Sequence, residues 1–165
     1  MPDAPRARRA RLEPRDPRFE KRVRESFAEQ GWMQTLGARL VEVAPGHVSI
    51  ELTPRPELSQ QNGYLHAGVL TSIADSACGY AARTLMPAGS NVLSVEFKVN
   101  LLAPATGSVV RADARVVRSG RTLTVCEADV FAGSGGEGGE AERHVAIMMA
   151  TMIRIAPPGG DSGDG

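Results

Sequence analysis

A single acid, Asp75, interrupts the run of small and apolar side chains from Gly68 to Ala82, GVLTSIADSACGYAA. An ionised carboxylate that leaves water without gaining a partner is costly. Asp75 therefore emerges at a surface, pairs with a donor, or does chemistry. Nine positions earlier stands His66, followed by Ala67 and Gly68 where the run begins. If that run is a helix, the N–H groups at its start have no intrahelical acceptor and sit at the positive end of the dipole. Such amides polarise a carbonyl oxygen, as an oxyanion hole does. A histidine alone in this place is more often a cap or a packing residue. Joined to a helical acid, an amide cluster and a preceding polar loop, it is a more specific constellation.

The elements that must position these residues follow from periodicity. Phe19, Val23 and Phe27 recur every four residues, one stripe of a short amphipathic helix over 17–30 that Gly31 is expected to close. Residues 38–52 read as two short strands about a turn at Pro45-Gly46, with Val48, Ile50 and Leu52 alternating against Ser49 and Glu51. A loop runs from Pro54 to Gly63. The run 68–82 has no charged face, so a helix there must be buried on most of its surface. Its Ala, Ser, Gly and Cys residues let other backbone come close.

Long alternating strands come next. In the first, Leu93, Val95, Phe97, Val99 and Leu101 are expected on one face and Ser94, Glu96, Lys98 and Asn100 on the other. Residues 109–118 and 121–131 read as a hairpin about Ser119-Gly120. A glycine-rich loop, 133–139, precedes a last strand from His144 to Ile155. An antiparallel sheet with one dry face needs a cover, and 68–82 is the apolar helix available for it. The expected fold is thus α+β, an antiparallel sheet wrapped around one long helix, which is the hotdog arrangement. Residues 17–156 form that domain, between a mobile arm (1–16) and a flexible tail (157–165).

The remaining counts exclude function classes. Lys plus Arg and Asp plus Glu both number 19, so the net charge is zero and the basic excess of a dedicated nucleic-acid binder is missing. Cys78 and Cys126 lie in apolar stretches without metal-ligand spacing and read as structural thiols of a reducing compartment. No metal or cofactor is expected. No apolar run approaches a membrane span, and no apolar segment of an export signal follows the arginines of the N-terminus, so the cytoplasm is the expected location.

The segment QNGYLHAGVLTSIADSACGYAA resembles the motif of the phenylacetate-pathway (PaaI)-type acyl-CoA thioesterases of the hotdog superfamily. In that pattern Asn or Gln stands six positions before a His-Gly-Gly triplet, and an acid nine positions after the histidine. Gln60, His66 and Asp75 fit, and the resemblance extends over about residues 30 to 155. It implies hydrolysis of an acyl-CoA, the substrate being the thioester itself. Asp75 would activate water or attack the carbonyl, and the Ala67 N–H would hold the oxyanion. His66 would orient the loop or the leaving thiolate, and Gln60 the carbonyl or the water. Asn62, Gly63 and Gly68 would line the substrate path, and Ser94 matches a position that holds the attacking water in some relatives.

The resemblance also implies a homo-oligomer. In the family the acid and the histidine loop meet across a dimer interface, and dimers pair again into tetramers. Arg118, Gly120 and Arg121 surround a turn that approaches CoA phosphates in relatives; two exposed arginines beside a hairpin fit the residues at least as well. Ala67 departs from the family's Gly: it keeps the N–H, adds a methyl beside the thioester path and disfavours positive φ. The runner-up function is an acyl-CoA-binding module of the same fold without catalysis. A hydratase would place its histidine and acid in a different pattern.

Overall fold

The computed structural model describes residues 12–134 and 142–156. The first eleven residues of the expected arm, most of the glycine-rich loop and the tail 157–165 lie outside them.

Val23 and Phe27 are buried on the inner stripe of α1 (Phe19–Ala28), as the four-residue spacing requires. Gly31 does not end that region but opens a second helix, α2 (Gly31–Leu36), which buries Met33 and Leu36. The terminator is Gly37, whose φ of 70° lets its own N–H and that of Ala38 return to the carbonyls of Gln34 and Met33. Strands β1 (Arg39–Ala44) and β2 (His47–Leu52) pair antiparallel, and Val48, Ile50 and Leu52 all face the core. The loop beyond them contains one turn of 3₁₀ helix, Pro56–Leu58.

The apolar run forms α3 (Ala67–Arg83), one residue longer at each end than 68–82. It packs against β2 and against the four long strands β3 (Asn91–Leu101), β4 (Val109–Ser119), β5 (Leu123–Gly133) and β6 (Arg143–Ile155). Ala74, Ala77, Cys78 and Ala81 are fully buried, and their small volume lets the sheet close around the helix. All pairings are antiparallel, in the order β1-β2-β4-β5-β6-β3. The hotdog arrangement expected from the sequence is the fold observed, with β3 on one edge.

Strand β3 departs from its expected alternation. Ser94 pairs with Met152 and Glu96 with Thr151, so Val95 is the extra residue of a β-bulge. Beyond the bulge Phe97, Val99 and Leu101 oppose the buried Ala150, Met148 and Ala146 and take the inner face. Before it, the inner face belongs to Val92 and Ser94. Ser94 therefore does not share a face with Glu96, Lys98 and Asn100, and Leu93 and Val95 point outward, 59% and 55% exposed. One inserted residue reverses a two-residue period.

Candidate active site

At the mouth of α3 the backbone of His66 is extended (φ −66°, ψ 136°) and its ring caps the helix, Nδ1 accepting from the Gly68 N–H at 2.9 Å. With Nδ1 an acceptor, a neutral ring carries its proton on Nε2. The cap sits tightly over glycine at position 68: a Cβ there would lie 3.0 Å from Nδ1, so the ring would have to shift. Val69 N–H returns to the His66 carbonyl at 2.9 Å. Of the first three amides of the helix, that of Ala67 alone is left without an acceptor among the described residues. No non-glycine residue among those described has positive φ, so Ala67 holds its place without strain.

The preceding loop is tied back on itself. Gln60 N–H donates to Tyr64 O at 2.8 Å, and His66 N–H to Leu58 O at 2.9 Å. The Gln60 Oε1 accepts from the Asn62 N–H at 2.7 Å, which leaves the side-chain NH₂ to donate elsewhere. Gln60, Asn62, His66 and Ala67 thereby line one cleft of about 580 Å³, closed on its other side by Leu101–Ala105. Gly63, at φ 83°, makes the turn of the loop and does not line the cleft; nor does Gly68.

Asp75 lies elsewhere. It is half-buried, and its Oδ1 accepts a 2.6 Å hydrogen bond from the Ser94 hydroxyl, the contact that the β3 bulge makes possible. Both residues line a second cleft, of about 460 Å³, between α3, β3 and α1. Nine residues of helix separate Asp75 from His66, about 13 Å along the axis. Within one chain the acid and the helix mouth therefore open into different clefts.

The β4–β5 turn, closed by Gly120 N–H to Leu123 O at 2.8 Å, lies beyond the far end of α3. There Gly120 and Arg121 border a small recess with Met86, Pro87 and Arg154. Arg118 is exposed and lines neither cleft.

The thiols are not candidates for nucleophiles. Burial, with the charges of Cys126 and Asp75 behind it, raises Cys78 well above the ordinary thiol range. Burial likewise pushes Cys126 up to about 12. Among the described residues no group of three His, Cys, Asp or Glu side chains could hold a metal ion, and no helix is long and apolar enough to cross a membrane. Sequence reasoning missed the far wall of the second cleft, Arg83, Gln30, Ser26 and Tyr80. The available signal was Arg83, two helical turns past Asp75 on the same face.

The family model for the thioesterase superfamily matches residues 62–138, which span the loop, α3 and the strands to the end of β5. A crystal structure of a thioesterase family protein from Silicibacter pomeroyi is 46% identical and superposes with a TM-score of 0.79, covering 84% of this chain and 98% of that one. The 1,4-dihydroxy-2-naphthoyl-CoA hydrolase of Listeria monocytogenes is 28% identical over 122 residues, 74% of this chain and 94% of that protein. The PaaI protein of the E. coli phenylacetic acid degradation operon shares the fold, with a TM-score of 0.74 at 18% identity over 85% of this chain and 95% of its own.

Proposed function

This chain belongs to the hotdog-fold thioesterase superfamily, and on that footing we propose that it hydrolyses an acyl-CoA thioester to the free acid and CoA, with Asp75 as the reacting acid. The observation that carries the reading is the Ser94–Asp75 hydrogen bond, which holds one carboxylate oxygen in a cleft and leaves the other to the substrate. The thioester oxygen lies against the Ala67 N–H, where the helix dipole adds to the stabilisation of the oxyanion. His66 Nε2 and the Gln60 side-chain NH₂ orient the carbonyl and the water from the same cleft wall.

Two routes fit this geometry. Asp75 takes a proton from water as the water adds to the carbonyl carbon, or its free oxygen attacks that carbon and water cleaves the resulting anhydride. Either way the C–S bond breaks as the tetrahedral intermediate collapses and the thiolate leaves. Its proton comes from the water that is consumed, through Asp75 in the first route and when the anhydride is cleaved in the second. A single turnover in oxygen-18 water identifies the second route when water cleaves the anhydride at the Asp75 carbonyl, since the label then stays in Asp75.

The two clefts meet in a dimer. Strand β3 is an edge whose outward side chains include Leu93 and Val95, an apolar rim that a second β3 would cover. In that pairing Asp75 of one subunit faces Gln60, His66 and Ala67 of the other, and two such dimers associate in turn. Asn62 lines the thioester path, Gly63 and Gly68 act on it through the loop turn and the His66 cap, and Arg118, Gly120 and Arg121 meet the CoA phosphates. The acyl group is medium-chain or aromatic, and the enzyme works in the cytoplasm as the domain 17–156, against which Leu12 and Asp16 also pack.

The test is thiol release, with the free acid followed by mass spectrometry, over short, medium, long and aromatic acyl-CoAs. Turnover of at least one substrate is expected. Acyl-CoA binding without thiol release would make the chain a binding module instead.

A further inference from the structure

The cleft that holds Asp75 continues past it along α3. Asp75, Gly79 and Arg83 stand at i, i+4 and i+8 on one face of the helix, all three on the cleft wall. The wall therefore runs about 12 Å from the acid to the arginine backbone. Its middle is open, because a Cβ added at Gly79 would meet nothing nearer than Val92 at 3.8 Å.

The far end is polar. The half-buried Arg83 guanidinium donates to the Ser26 hydroxyl of α1, and its Nε is buried with no hydrogen-bond partner among the described residues. No carboxylate among them lies within ion-pair distance of it. Its neighbour Arg22 also has a buried, unpartnered Nη1 but differs in its charge balance, with the Asp16 carboxylate 2.6 Å from Nε and the Met86 carbonyl as an acceptor. Burial first and the like charge of Arg22 second oppose the charge on Arg83. Gln30 beside it has a buried Oε1 that is likewise unpartnered, and its amide offers donors or an acceptor by turning over. A cation with unused donors at the end of an open trough is a receptor for an anion.

We propose that this trough is the acyl pocket and that Arg83 reads its far end, so that the preferred substrates are acyl-CoAs whose acyl group carries a terminal carboxylate. This inference rests on the thioesterase reading above. It goes beyond it in naming the acyl class and the residue that selects it. The fork of Arg83 takes the carboxylate, with Ser26 holding the guanidinium from behind and Gln30 adding an amide N–H. Arg side chains on a helix lean toward its N-terminus, which brings the guanidinium back toward Asp75 and suits a medium-length chain.

The experiment compares kcat/KM for pairs of acyl-CoAs of equal chain length, one ending in a carboxylate and one in a methyl, in wild type, Arg83→Gln and Arg83→Lys. Each pair is repeated as N-acetylcysteamine thioesters, which have no phosphates. Wild type is expected to favour the carboxylate member on both carriers. Arg83→Gln is expected to shrink that preference about 10- to 100-fold, the value of a charge-assisted hydrogen bond, and Arg83→Lys to retain part of it. Because the preference is a ratio within each protein, partial misfolding of a variant does not move it. Wild type that hydrolyses both members equally, or a preference that survives Arg83→Gln, overturns this inference and leaves the hydrolase standing. An Arg83→Gln loss that is equal for both members and disappears on the N-acetylcysteamine carriers overturns it too, and assigns Arg83 to the CoA phosphates. No hydrolysis of any thioester removes the hydrolase reading and this one with it.

Discussion

The His66 ring and the Gly68 N–H settle between them which amide at the helix mouth stays free, and that contact depends on one missing methyl. In Gly68→Ala the new Cβ would stand 3.0 Å from Nδ1, so the ring must give way and the cap loosens. We expect kcat/KM to fall about tenfold or more while the fold persists, since small misplacements of positioning groups are costly. Steady-state kinetics beside a far-ultraviolet circular dichroism spectrum checks this. Unchanged kinetics would mean that the cap does not position the site. At this scale the sequence was readable for the neighbourhood of Gln60, His66 and Ala67, which line one cleft, but not for the separation of Asp75 from them within the chain. It was not readable for Ser94, whose face depends on a bulge, nor for Arg83, whose meaning comes from Gln30 and Ser26 of a different helix.

Helices and strands were legible as far as period alone decides them. The alternation of β2 and the apolar surface of α3 survive in the structure because burial enforces them residue by residue. The end of α1 did not: it closes at Ala28, with the Glu29 and Gln30 N–H groups returning to Ser26 and Phe27, and Gly31 opens α2, which Gly37 ends in the left-handed conformation. The start of α1 is fixed by Asp16, 4% exposed, whose carboxylate accepts from the Arg18 N–H at 2.9 Å and pairs with Arg22 at 2.6 Å. That N–H, ahead of the charges of Arg22 and Arg18, holds the Asp16 carboxyl below its ordinary range. A carboxyl lowered in the folded state stabilises it above the ordinary carboxylate range, and the effect is lost as pH falls through the lowered value. Asp16→Asn is therefore expected to melt lower than wild type near neutral pH, and the gap should close on acidification. A gap in melting temperature that is constant with pH would contradict the assignment.

For the whole molecule the question is why one chain keeps its acid and its helix mouth in separate clefts. A β3 edge with outward Leu93 and Val95 answers it if a second copy completes both sites. Val95→Lys puts a charge on that rim and should shift sedimentation from dimer or tetramer to monomer, with activity falling in step. A monomer that keeps full activity would show that the site needs no partner. The most direct measurement of the central claim is thiol release from the best acyl-CoA by wild type and Asp75→Asn at equal concentrations of folded protein. If Asp75 reacts as proposed, wild type turns over and the variant loses about 10²–10⁴-fold. An Asp75→Asn protein as active as wild type would contradict it, leaving Asp75 a structural partner of Ser94.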